Sequence, residues 1–325
     1  MNHILRTVEK PEIVLILAPP RSFTSVTCAM LGQHPELYGV PELRLFAAET
    51  LGEWLTLCRK AHYPMASGTL RAVSQLIFGE QTEASIQMAH RWIRRRSHWS
   101  TQRLVRLLGE LVYPRILVDK SPTTVYSTHD LRRAFRMFPR ARFIHLLRHP
   151  RGQSESVLKL IRFIEERRQS PLPPRNWLVR LASFPPFPSA EGEDVEILDP
   201  QRAWYVLNTN ICRFLESIPP AQATAVRGED LLADPDFFLE RIAEWLGLRT
   251  DRAAIEAMKH PEQSPYVGFG PKGASRGNDP FFLKNPALRA IHNDPKSLNG
   301  SLSWREDRKG FLPEVKKLAR SFGYR

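Results

Sequence analysis

The chain has little cysteine, no long apolar run and no internal repeat, and each gap removes a class of protein. Only Cys28, Cys58 and Cys212 occur in 325 residues. Their odd number and wide spacing argue against a disulfide framework or a zinc site and fit a reducing compartment. Nowhere do 18 apolar residues run together, and MNHILRTVEKPE passes straight into a short apolar run. Neither a signal peptide nor a transmembrane helix is therefore expected, and a cytoplasmic protein is. No period of solenoid length recurs. The ten histidines show no tight ligand spacing, so no metal is expected. The ATP/GTP loop GxxxxGK[ST] is missing, both in its second glycine and in its lysine. Zinc-finger spacing and a basic region ahead of a heptad zipper are also missing, which leaves a nucleic-acid reading without a recognition element.

What is present suffices for a sizeable core, with 42% apolar and 25% charged residues. The formal charge of +13 favours an anionic cofactor, an acidic protein, a membrane face or nucleic acid, and does not choose among them. Arg91, Arg94, Arg95 and Arg96 read as a solvated helix face, with a docking patch for an acidic partner as the second reading.

The apolar pattern is that of an α/β protein. Buried strands are expected at Ile13–Ala18, Ile116–Val118, Arg142–Leu147 and Thr224–Arg227. Helices are expected near 24–33, from Gly152 onward, over 203–215, from Asp234-Pro235 to Leu246 and over 311–322. Strands separated by helices predict a central parallel sheet flanked by helices, with ligands beyond the strand C-termini. One domain over 1–325 is expected, with a helical insertion at 49–111. Pro171, Pro173, Pro174, Pro185, Pro186 and Pro188 make 165–200 a long flap rather than a core element.

Two loops carry the chemistry. APPRSFTS, residues 18–25, lies between a buried strand and a helix, where backbone N–H groups, hydroxyls and Arg21 can hold a phosphate or sulfate. The plain alternative is a helix cap beside a solvent-facing arginine. Arg148 ends the strand FIHLL and Ser156 lies eight residues on, a second anion site unless the two are a surface residue and a packing residue.

With those motifs in place, the chain resembles the PAPS-dependent sulfotransferase family, where PAPS is 3′-phosphoadenosine 5′-phosphosulfate, in its bacterial-type branch. Arg21-Ser22-Phe23-Thr24-Ser25 is similar to the family's 5′-phosphosulfate loop, (K/R)SGTT or RSGTS, and Arg148-His149-Pro150 through Ser156 to its 3′-phosphate motif. VDKSPT at 118–123, FPRARFIHLLRHPRG at 138–152, RGEDLLADP at 227–235 and GPKGASRGNDPFF at 270–282 follow in family order. HPELYGVPELRLF, YPMASGTLRAV and AWYVLNTNI bring the chain nearest to sulfotransferases of olefin-forming polyketide pathways, which act on β-hydroxyacyl chains held by an acyl carrier protein. Two positions depart from the pattern. Phe23 replaces a glycine, so a positive φ there would be strained. Gly228 stands where many relatives have a tyrosine that helps enclose the nucleotide, so adenine stacking would come from elsewhere.

The resemblance implies a P-loop-like sulfotransferase fold, PAPS as donor, 3′,5′-adenosine bisphosphate (PAP) as product and a hydroxyl acceptor, either a β-hydroxyacyl chain on an acidic carrier protein or another small hydroxylated metabolite. It implies Ser22, Phe23, Thr24 and Ser25 at the 5′-phosphate, Arg148, Ser156, Lys272 and Gly273 at the 3′-phosphate, and Arg21 at the transferring sulfuryl group. Glu42 is the expected base and His62 the second candidate. Glu42 pairing with Arg44 is the structural alternative. Lys120 is either a second sulfuryl-side cation or the partner of Asp119. His149 faces the nucleotide or, more simply, forms the turn, and Trp177 and Trp204 contact acceptor or belong to the core. A phosphoryl transferase and a non-enzymatic basic scaffold remain as alternatives; the missing GxxxxGK[ST] weighs against the first, and two anion loops without a shared ligand against the second.

Overall fold

Strand β1, Ile13–Leu17, is buried along its whole length. An apolar run without polar alternation becomes a strand covered on both faces. The computed structural model describes residues 10–60, 65–166, 199–289, 296–305 and 307–325. Among them β1, β2 (Leu37–Gly39), β3 (Ile116–Asp119), β4 (Arg142–Leu147) and β5 (Ala223–Arg227) form one parallel sheet in the order β2–β3–β1–β4–β5. Strands β1, β3, β4 and β5 stand within a residue of where the apolar pattern places them.

Alternation along β1 divides it between two cores. Ile13, Leu15 and Leu17 join a layer with Trp54, Leu70, Leu104 and Phe214, while Val14 and Ile16 join Met30, Ile242 and Leu246. Helix α1 (Thr24–Leu31) links β1 to β2. The helical insertion is α2 (Leu51–Lys60), α3 (Ser67–Phe78), α4 (Glu83–Arg94) and α5 (Thr101–Val112). Helices α4 and α5 start where hydroxyls cap them: Thr82 and Ser85 form a capping box on α4, and Ser100 accepts from Arg103 N at α5. Arg91, Arg94 and Arg95 are exposed, as a solvated face requires, whereas Arg96 stacks 4.0 Å from the Trp92 ring centroid.

Helix α6 (Thr128–Met137) precedes β4, and α7 (Pro150–Glu166) follows it. Expected from Gly152, α7 starts two residues earlier, because proline suits a first helical turn whose N–H needs no partner. The same reason corrects the far edge of the proline-rich interval. Asp199 caps α8 (Pro200–Leu215), so Pro200 opens a helix, and Glu166 still belongs to α7. The rest of the expected flap, Trp177 included, lies outside the described residues. Trp204 is fully buried and its Nε1 donates to Arg148 O at 2.8 Å, which makes it a core residue. Helices α9 (Gly228–Ala233), α10 (Pro235–Leu246), α11 (Arg252–Met258), α12 (Pro280–Lys284) and α13 (Pro313–Ser321) complete the described chain. No described helix is long and apolar enough to cross a membrane.

The sheet order positions the site. After β1 the chain turns toward β2 on one side, and after β4 toward β5 on the other. The C-terminal ends of β1 and β4 therefore flank a crevice where the two directions part, the place where open α/β sheets bind ligands.

Ile16 is 2% exposed and Leu111 45%. Ile16→Ala should cost about 2–5 kcal/mol in a denaturant titration. Leu111→Ala should stay within about 0.5 kcal/mol of wild type.

Candidate active site

The loop after β1 enters helix α1 through two residues in left-handed backbone, Arg21 at φ 69° and Phe23 at φ 62°. Each side chain there costs about 1–2 kcal/mol relative to ordinary backbone. The positive φ that a glycine would take freely at position 23 is thus kept, and strained. In return the turn aims its backbone toward the crevice. Helix α1 has no side-chain cap and no acidic residue in its first turn, so its N-terminal donors and partial positive charge remain available to an anion. Ser22 Oγ, two residues ahead of Thr24, is buried without a hydrogen-bond partner, and so is Arg148 Nε. Donors of this kind, converging on an uncapped helix start, fit an oxyanion ligand.

Arg148 comes from the neighbouring strand end. Its guanidinium donates to Arg21 O and lies 4.0 Å over the Phe23 ring. Burial lowers its pKa to about 10, which leaves it cationic at neutral pH. Arg21 Nε donates to Ser156 Oγ at 3.1 Å, in the second turn of α7, and Arg21 Nη1 pairs with Asp279. The two arginine loops are therefore one connected group.

A second group lies on the β3 side. Lys120 has no exposed side chain, and its Nζ donates to Ser25 Oγ and Glu42 Oε1, both at 3.0 Å. Glu42 Oε2 pairs with Arg44. Burial alone would raise the Glu42 pKa, but the charges and hydrogen bonds of Lys120 and Arg44 outweigh it and hold the carboxyl at about 2. Asp119 does not pair with Lys120. It accepts from Leu43 N at 3.2 Å and Ser121 Oγ at 2.9 Å, and burial raises its pKa to about 6. The turn carrying Glu42 is thereby fastened to β3, and it is closed from above by α3. A Cβ on Gly68 would lie 2.0 Å from Glu42 O, so only glycine lets these backbones approach.

Of the expected site residues, Arg21, Ser25, Glu42, Lys120, Arg148 and Ser156 are joined by hydrogen bonds or their near neighbours, with Ser22, Phe23 and Thr24 in the same loop. Lys272 is exposed, and Gly273 at φ 89° faces Ile86 of α4, 3.7 Å from where its Cβ would be. His62 lies outside the described residues. His149 is buried; its Nδ1 accepts from Arg151 N at 3.1 Å, as a turn-forming residue does, and burial with the nearby Arg151 and Lys296 charges lowers its pKa to about 4.

Asp279 and Arg71 have no place in the reading of the sequence. Asp279 precedes Pro280 and caps α12, accepting from Phe281 N at 2.8 Å, a cap signal that was legible; its pairing with Arg21 and its N–H bond to Ser25 Oγ at 3.0 Å were not. Arg71, buried in α3, donates to Gly268 O at 3.2 Å and Arg276 O at 3.3 Å, which ties the insertion to the glycine-bearing loop. Burial draws its pKa down to about 10.

The sequence pattern described as "Sulfotransferase family" matches residues 11–252. Among solved structures, the sulfotransferase domain from the curacin biosynthetic pathway is similar, with 22% identity over 97% of this chain and 98% of that one and a TM-score of 0.73. The sulfotransferase domain from the Synechococcus PCC 7002 olefin synthase shares 25% identity over 96% of this chain and 94% of its own, with a TM-score of 0.67. No curated protein matches the chain.

Because the Glu42 carboxyl is held below its ordinary 4.5, its ionised form stabilises the fold above about pH 4.5, and that stabilisation is lost as pH falls toward about 2. Melting temperatures of wild type and Glu42→Gln should differ most near neutrality and converge across that window. A constant difference would place the stabilisation elsewhere.

Proposed function

The chain belongs to the sulfotransferase family and is a PAPS-dependent sulfotransferase, and from that premise we propose that its acceptor is the hydroxyl of a β-hydroxyacyl chain carried by an acyl carrier protein, and that the 1–325 chain works as one domain. The observation that carries the nucleotide assignment is the link between Arg21 and Arg148, arginines from the ends of adjacent strands joined through Arg21 O and bound onward to Ser156. In support of the acceptor, the likeness to the olefin synthase domain covers 96% of the chain, and so extends beyond residue 252, where the family match ends. A net charge of +13 suits an acidic carrier.

PAPS supplies the sulfuryl group and leaves as PAP. In this assignment the N–H groups opening α1, with Ser22, Phe23, Thr24 and Ser25, hold the 5′-phosphate end. Arg148 and Ser156 hold the 3′-phosphate, with Lys272 and Gly273 contributing from their loop. Arg21 and Lys120 stabilise charge at the sulfuryl oxygens. An anion at Arg21 competes there with the Asp279 carboxylate.

Glu42 takes the acceptor proton. A carboxylate held at about 2 is a weak base. Lys120 Nζ, however, bridges Glu42 and Ser25, and any shift of that ammonium toward the sulfuryl oxygens removes the largest charge holding Glu42 down. The base strengthens as the donor side engages its cation.

PAP should bind more tightly than ATP with magnesium in a calorimetric titration; preference for ATP would overturn the nucleotide assignment. Glu42→Gln should lower kcat by about 10²–10⁴-fold, and unchanged turnover would clear Glu42 of the role. With labelled PAPS, a carrier-linked β-hydroxyacyl chain should be sulfated in preference to the same acyl group as a free thioester. Equal turnover of the two would remove the carrier protein from the proposal.

A further inference from the structure

Phe23 is a bulky residue in left-handed backbone at the N-cap of α1, a conformation that persists only where the surroundings impose it. Two surroundings do so. One is Arg148, whose guanidinium lies 4.0 Å from the ring centroid. The other is Gly228, the first residue of α9: a Cβ there would stand 2.5 Å from Phe23 Cδ2, 3.3 Å from Cε2 and 3.2 Å from Leu147 O. Gly228 has no positive φ, so its turn does not require glycine. What excludes a side chain at 228 is the ring of residue 23, together with Leu147 O at the end of β4.

We propose that Phe23 and Gly228 are one coupled specificity device: the Phe23 ring occupies the space a side chain at 228 would take and holds the Arg148 guanidinium flat, edge outward, for the 3′-phosphate of the donor nucleotide. This rests on the assignment of Arg148 to that phosphate. The stack covers one face of the guanidinium and leaves its in-plane N–H edge as the donor surface, the geometry that phosphate recognition uses. Arg148 Nη1 is already committed to Arg21 O, which fixes the rotation of the plane, and Nε is buried without a partner. Phe23 acts through Arg148 and is a positioning residue. The unusual phenylalanine in the first loop and the unusual glycine after β5 are on this account a single exchange.

The test is a double-mutant cycle read as the ratio of affinities for PAP and 5′-adenosine monophosphate, which differ by the 3′-phosphate. Phe23→Gly should lower that ratio about tenfold, and Phe23→Leu, which fills the space without a π face, should lower it comparably. Phe23→Tyr should retain it. Gly228→Ala should lower the ratio in the wild-type background and lower it far less in the Phe23→Gly background, where the ring is gone and only the 3.2 Å approach to Leu147 O remains. Melting temperatures of the same proteins separate packing from positioning, since loss of packing alone lowers stability and leaves the ratio unmoved. Additive effects of the two sites, or a ratio unchanged in Phe23→Leu, would overturn the proposal. Arg148→Ala is the control on its premise. If that variant keeps the ratio, the 3′-phosphate assignment itself fails; if it loses the ratio and the Phe23 variants keep it, only the coupling fails. Should Gly228→Ala not fold, the Phe23 variants decide alone.

Discussion

A lysine ammonium with no exposed surface cannot stay charged in a protein interior without partners, and Lys120 finds its partners on two other strands' loops. Nζ reaches Ser25 beyond β1 and Glu42 beyond β2 from its own position beyond β3. Removing Glu42 leaves the buried Lys120 ammonium without a countercharge, which is costlier than the pair is stabilising. The three loops are therefore held in one arrangement by electrostatic necessity. Arg44 extends the set on one side, and Asp119, bound to Leu43 N and Ser121, keeps the Glu42 turn from drifting.

The opposite wall of the crevice is organised by arginines instead. Arg148 and Arg21 meet through a main-chain carbonyl, and each lies over a phenylalanine, Phe23 at 4.0 Å and Phe281 at 5.2 Å. Aromatic faces leave the planar forks free to donate at their edges. Strain at Arg21 and Phe23 is the cost of aiming that loop, and it is carried by two residues whose side chains are each tied down. Asp279 and Glu42 occupy cationic groups on the two walls with carboxylates, so the cations are organised before any substrate anion arrives.

Much of this was legible in the primary structure because it is local. Strand positions followed from apolar runs that must be buried on both faces, and helix starts from Asp234-Pro235 and similar caps. Arg21, Arg148 and Ser156 were identified by their place after strands and in a helix turn. The pairing of Arg21 with Asp279 spans 258 positions and that of Arg71 with Gly268 spans 197, and no periodicity encodes such contacts. Sequence alone leaves Lys120 between two partners, Asp119 and the sulfuryl group; neighbours in extended chain point to opposite faces, and the fold sends Lys120 to Glu42.

Sequence by itself determined the α/β class, the strand ends after which Arg21 and Arg148 stand, the kinship to sulfotransferases and the two residues, Phe23 and Gly228, that depart from their pattern. Only the tertiary structure decided that those two departures touch. Local conformation depends on a few adjacent residues and can be read along the chain. Which side chains share a volume depends on how residues 205 positions apart in the chain come to meet, and the space at Gly228 is filled from the far side of the sheet's central crevice. That excluded volume exists only once β1, β4 and β5 are assembled.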